Sequence, residues 1–256
     1  MPPPPTRDEL REHLVATRIA GVVDTPVWDV LRKANGLADG VPEYTLGLSG
    51  MQRWSGTEVL AQVRMQFGWS HTPGEPGDGP TRIEPDLLLD ELDRARERLT
   101  RAGRKGQRVL LASGHPTGVL ALHQLLATAL QEAGAKLLRP ADGHRMALRD
   151  EARSIRYLLG VAVLAGGGDL FHTHRAEPMR AVLERSGDVD LVVADHGWAG
   201  AAAEQGIDVL GIADINDPAL PMAKHEGRLP IVLGMDDNVL PTHYGPVAGY
   251  LAAGLG

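Results

Sequence analysis

The stretch DLVVADHGWAGAAAEQGIDVLGIADINDP, residues 190–218, decides how this chain folds. Two apolar runs, Leu191-Val192-Val193-Ala194 and Val209-Leu210-Gly211-Ile212-Ala213, are short, β-branched and free of polar alternation. Strands buried on both faces have that composition. Between them lies a small-residue segment, Ala199 to Gln205, closed by Gly206, which takes the left-handed position after a helix without strain. Strand, helix, strand with both strands buried predicts a parallel sheet. Ligands of such sheets bind beyond the carboxyl ends of the strands. There the two runs end in Asp195-His196 and in Asp214-Ile215-Asn216-Asp217.

Outward from this unit the rhythm persists. Residues 109–112, 136–138, 161–164 and 231–233 read as further strands. Residues 117–133, 178–184, 218–224 and 242–251 read as helices, the first two closed by Gly134 and Gly187, the last capped by Thr242. The predicted fold is α/β: a Rossmann-like, mostly parallel sheet sandwiched by helices over 106–256. Residues 1–105 read as a mainly helical N-terminal cap, either separate from that core or integrated with it. Helices are predicted there over 8–17, over 55–67, from Pro85 with Leu88, Leu92, Ala95, Leu99 and Ala102 on one stripe, and from Thr25-Pro26 up to Gly36. Residues 44–48 read as a short strand. Residues 142–157 fit either state, with helix favoured over 146–153. The segment SHTPGEPGDGP, residues 70–80, is a loop and the candidate lid.

Composition narrows the function classes. Only 4% of residues are aromatic, so the core must be aliphatic. The net charge of −7, with no long basic run, argues against nucleic acid or anionic membrane as a partner. The sequence has no cysteine, which excludes disulfides, thiolate metal sites and cysteine nucleophiles. No apolar stretch approaches the ~20 residues of a membrane span, and no apolar segment follows MPPPP as in a signal peptide. The expected location is cytoplasmic. A homodimer remains an open arrangement.

Five strand ends are followed by groups that do chemistry. These are Ser113-Gly114-His115-Pro116-Thr117-Gly118, then His172 and His174, Asp195-His196, Asp214 with Asn216 and Asp217, and Asp236-Asp237-Asn238. Loops are polar in any protein, and Asp and Asn are common turn residues. Five strand ends delivering carboxylate, imidazole or amide to one side point to a site. His115, His172, His174, Asp195, Asn216 and Asp217 are expected to line one cleft. Asp195, Asp214, Asn216 and Asp217 are expected to hold a divalent metal. Oxygen donors suit Mg2+ or Mn2+. In an extended segment residues two apart share a face, so His172 and His174 can reach one ion, which would favour Zn2+ or Co2+. The alternative puts one of these histidines on a substrate phosphate and the other at a strand end. His115, His172, His174 and His196 are the acid–base candidates. Ser113, Gly114 and Thr117 sit where backbone N–H groups ahead of a helix meet an anion. With Asp236, Asp237 and Asn238 they are the candidate substrate ligands. Gly166-Gly167-Gly168 is neither a Walker loop nor GxGxxG.

Several long segments are familiar together: TRIAG (17–21), GHPTGVL (114–120), FHTHRAEPM (171–179), DLVVADHGWAG (190–200), GIADINDPAL (211–220) and MDDNV (235–239). They resemble a family of actinobacterial proteins called simply phosphatases. The chain departs from the family pattern at Val27-Trp28-Asp29-Val30, where the family segment carries Arg and paired Asn. The resemblance and the clustered groups lead to one expectation: metal-dependent hydrolysis of a small phosphorylated metabolite, of sugar or nucleotide type. The rivals are a lyase, isomerase or transferase on such a metabolite, and a ligand-binding module without chemistry.

Overall fold

The computed structural model describes residues 4–72, 77–148 and 151–255. In chain order the elements are α1 (Arg7–Ala16), β1 (Gly21–Pro26), α2 (Val27–Ala38), α3 (Pro42–Thr45), α4 (Gly56–Phe67), β2 (Pro80–Ile83), α5 (Pro85–Arg104) and β3 (Arg108–Ser113). They continue with α6 (Leu120–Glu132), β4 (Lys136–Leu137), β5 (Arg145–Leu148), β6 (Glu151–Leu158), β7 (Val161–Gly166), β8 (Asp169–Leu170) and α7 (Glu177–Leu183). The last are β9 (Leu191–Asp195), α8 (His196–Glu204), β10 (Val209–Ala213), α9 (Ala219–His225), β11 (Ile231–Gly234) and α10 (Gly245–Ala252). The fold is α/β, as the sequence predicts, with a mostly parallel sheet.

The sheet has nine strands in the order β11-β10-β9-β3-β7-β6-β5, with β4 and β8 attached to β3 and β7. Strands β11, β10, β9, β3 and β7 run parallel. Every residue of β9, β10 and β11 is buried, which is why their sequences read as unbroken apolar runs. Beside β3 the chain order breaks: β7 lies on one side and β9 on the other. Such a switch point opens a crevice at the carboxyl edge. Helices α1, α4 and α5 pack on α5 and α10, on α9 and β11, and on β11 and α10 respectively. Their buried side chains belong to the same apolar cluster as the sheet.

Four local expectations are corrected. Thr25-Pro26 ends strand β1 and does not open a helix; β1 pairs antiparallel with β2, and Val27 donates to the Gly79 carbonyl at 3.0 Å. Gly36 lies inside α2, where Tyr44 packs on it. Residues 42–45 are helical, whereas 44–48 read as a strand. Residues Arg145–Leu148 and Glu151–Leu158 are a pair of strands rather than a helix. They are antiparallel and half-exposed, so charged residues recur along them and mask the strand pattern. At the two ends, α6 begins at Leu120 rather than Thr117, and Thr242 lies in a 3-10 turn ahead of α10 and caps nothing. The candidate lid overlaps residues 73–76, which lie outside the described residues. Among the described residues, no helix is long and apolar enough to cross a membrane.

Candidate active site

Asp195, the last residue of β9, is the hub from which the site is built. It is fully buried and its two oxygens take four donors. Oδ1 accepts from the backbone N–H groups of Gly114 (2.5 Å) and His115 (3.1 Å) and from His196 Nδ1 (3.0 Å). Oδ2 accepts from the Ser113 hydroxyl at 2.7 Å. Burial pushes the Asp195 pKa up, but His196, His123 and Ser113 outweigh it and hold the carboxyl below its usual range. The carboxyl end of β3 is therefore tied to that of β9 by a charge-assisted network. The anion these amides hold is the protein's own carboxylate. That corrects the expectation for Ser113 and Gly114, whose polar groups face inward to Asp195. Thr117 is exposed and does not line the cleft.

His196 follows with φ of 48°, a left-handed conformation uncommon outside glycine, Asn and Asp. The turn aims its ring across the carboxyl edge. With Nδ1 held by Asp195, Nε2 lies 3.3 Å from Asp217 Oδ2 and 3.6 Å from Asp237 Oδ2. Burial lowers the His196 pKa, but Asp217, Asp195 and Asp237 overcome that and raise it to about 10.

The other histidines arrive by a detour. After β7 the chain folds back through β8, and Thr173 donates to the Gly114 carbonyl at 2.8 Å. His172-Thr173-His174 is thus not a strand, yet its two imidazoles lie together, ring centroids 5.0 Å apart. His172 also stacks on His115 at 4.2 Å, and His174 meets His196 edge-on at 4.3 Å. Desolvation, then His196 and His115, push His172 down to about 4. Desolvation and His196 push His174 down to about 3. Both rings are neutral at pH 7 and offer lone pairs.

Carboxylates close the site from the far strands. Asp217 and Asp237 are buried, and one oxygen of each (Oδ2) has no hydrogen-bond partner among the described residues. Asp217 Oδ1 lies 3.7 Å from His174 Nδ1, and Asp237 Oδ1 3.2 Å from His115 Nδ1. Asp214 accepts from the Thr25 hydroxyl at 3.0 Å, and its Oδ1 is buried without a partner. Burial first, then Asp237, Asp236 and Asp217, hold the Asp214 pKa well above the usual carboxylate range. Burial raises Asp236 to about 6. Asn216 has both amide ends engaged: its oxygen accepts from Lys33 at 2.8 Å and its nitrogen donates to Asp29 at 2.8 Å.

A cleft of about 510 Å3 is lined by His115, His172, His174, His196, Asp214, Asn216, Asp236, Asp237 and Asn238, together with Lys33, Thr25 and others. Asp195 lies behind it, fully buried, and Asp217 is buried against its histidines. The sequence reading missed Lys33 and Thr25. The one available signal for Lys33 was its spacing from Asp29, an i, i+4 pair that ordinarily reads as a surface ion pair.

Two trios bring ligand atoms within 4.8 Å of one another: His115, His172 and His196, and His174, His196 and Asp217. Such groups can bind a metal ion, and the unpartnered oxygens of Asp217 and Asp237 beside them suit a cation. Fold and site together define an α/β protein with a histidine–carboxylate centre at the carboxyl edge of its sheet. By comparison with known proteins it belongs to the Phosphatase family, whose model matches residues 5–255. The chain is also similar to the phosphatase SCO2771 of Streptomyces coelicolor, an actinobacterial protein, at 44% identity over 98% of this chain and 97% of the relative. The resemblance carried by the six sequence segments is therefore shown.

Proposed function

We propose that the protein is a metal-dependent phosphomonoesterase whose ion sits at His196 Nε2. The carrying observation is that four imidazoles and two buried carboxylates with unpartnered oxygens gather in one place, with His196 common to both ligand trios. His115 and His172 from one side, and His174 with Asp217 from the other, are the remaining candidate ligands. This reading replaces part of the expected ligand set. Asp195 has spent its oxygens on protein donors and orients His196, as carboxylates behind metal-bound histidines do. Asn216 orients Lys33 and Asp29. The donors that remain are richer in imidazole than in oxygen, which moves the expected metal from Mg2+ toward Zn2+, Co2+ or Mn2+. When bound, such an ion supplies positive charge to the phosphoryl oxygens and makes an attacking water easier to deprotonate. The chain's own residues do the rest. Asp214 lines the cleft with its carboxyl fixed by Thr25, and can orient that water. A second hollow of about 650 Å3, sharing Lys33, His172 and His174 with the cleft, has room for the organic part of a small ester.

Release of inorganic phosphate from a panel of phosphate esters, before and after EDTA and with each metal restored, tests the reading. EDTA is expected to abolish release and Zn2+, Co2+ or Mn2+ to restore it. The melting temperature should rise by roughly 5–10 °C at a hundredfold excess of metal over its Kd. Turnover and melt that both ignore metal and chelator would overturn it.

Asp195→Asn gives a separate expected result. An amide nitrogen cannot accept from the donors that surround both oxygens, so the His196 ring loses its anchor. Metal affinity is expected to fall about 10–100-fold, with about 1–3 kcal/mol of stability lost from the unsatisfied donors. A metal titration and a melt read both. Unchanged metal affinity would show that Asp195 serves the fold alone.

A further inference from the structure

Lys33 is a cation of the cleft that the sequence reading did not assign. Its side chain is 11% exposed and reaches the cleft from α2, a helix outside the parallel strands that supply the carboxylates. Two of its three N–H donors are placed, on Asn216 Oδ1 at 2.8 Å and toward Asp217 Oδ1 at 3.4 Å. The third has no partner among the described residues. The Asp217 carboxylate lies against it as its ion-pair partner. A run of contacts fixes it: Arg32 pairs with Asp29, Asp29 accepts from Asn216, and Asn216 accepts from Lys33. Lys33 also stands with His172 and His174 at the wall common to the cleft and the outer hollow.

A lysine that served only to neutralise Asp217 would not need to line both hollows. Here the ammonium is held by an amide oxygen and one carboxylate oxygen, close to the histidines and open to both spaces. We propose that Lys33 binds a phosphoryl oxygen of the substrate, so that the tetrahedral oxyanion lies at the wall shared by the two hollows. This rests on the phosphatase reading and names the residue that would take the phosphoryl group. A fixed ammonium there meets negative charge without reorganising, which is the usual way a cationic clamp acts on a transferring phosphoryl group.

The test uses inorganic phosphate as the probe, measured by calorimetry on the full chain reconstituted with Zn2+ or Mn2+. Lys33→Gln is one atom shorter and keeps N–H donors on its amide but removes the charge; Lys33→Arg keeps the charge. Phosphate affinity is expected to fall at least tenfold in Lys33→Gln and to return to within about threefold of wild type in Lys33→Arg, with bound metal per chain unchanged in both. In turnover assays KM should rise in Lys33→Gln by a similar factor. Unchanged phosphate affinity in Lys33→Gln overturns the proposal. So does a parallel loss of metal and phosphate, since Lys33 would then only position Asp217. If Lys33→Gln fails to fold, Lys33→Met, an apolar side chain of similar length, is measured in its place with the same criteria. Because phosphate binding needs no turnover, a wild type that hydrolyses no ester sinks the phosphatase reading while calorimetry still decides the role of Lys33.

Discussion

His196→Asn is expected to lower kcat/KM for any phosphomonoester by on the order of 10³-fold, about 4 kcal/mol of transition-state stabilisation. His196 is the residue common to both candidate ligand trios. The choice of Asn matters, because position 196 has φ of 48° and Asn tolerates that left-handed conformation better than Ala. The backbone turn is thus kept and only the ring is removed. The expected companion result is a fall in metal bound per chain, read by elemental analysis, with a near-native circular dichroism spectrum. A variant that keeps more than a tenth of wild-type turnover would place the ion, or the chemistry, elsewhere.

The second large effect is Gly197→Ala, the smallest side-chain addition possible. A Cβ at Gly197 would lie 2.3 Å from the His174 carbonyl oxygen and 2.4 Å from that of Arg175. Both obstacles are backbone, so neither can swing aside. Either α8 moves off the segment that carries His172 and His174, or that segment moves out of the site. Overpacking of this kind costs on the order of 3 kcal/mol, a fall of roughly 6–12 °C in melting temperature for a chain of this size. A misplacement of about 1 Å is enough to cost roughly 10²-fold in rate. Melt and turnover should fall together. A variant with wild-type values for both would mean that the two segments are not in direct contact.

Much of this was legible because burial writes plainly. Apart from Arg108 at the start of β3, the strands β3, β9, β10 and β11 are buried, and their sequences carry only apolar and small residues up to the polar group at the carboxyl end. The carboxyl-edge cluster followed from that alone. What stayed hidden depends on partners distant in sequence. Nothing in Gly21–Pro26 announces its pairing with Pro80–Ile83 about sixty residues later. The strand pair Arg145–Leu148 and Glu151–Leu158 carries its charges on an exposed sheet edge, where amphipathic helix and strand look alike. His172 and His174 were brought together on paper by strand alternation. In the structure a fold-back after β7 does it instead, pinned by Thr173 on Gly114. Asp195 lies behind the cleft and Asn216 lines it, both with their polar atoms engaged by protein groups, and sequence shows which residues are near, not which atoms are already engaged.

The contact between Lys33 and Asn216–Asp217 also sets an order of events during synthesis. Helix α2 emerges from the ribosome well before the chain reaches Asp237 in the loop after β11, the last of the buried carboxylates. At about 5–20 residues per second the wait is roughly 10–40 s. Lys33 and His174 wait for Asp217, and His115 waits for Asp237. A nascent or truncated chain would therefore carry a half-built centre, complete only once the C-terminal strands are in place.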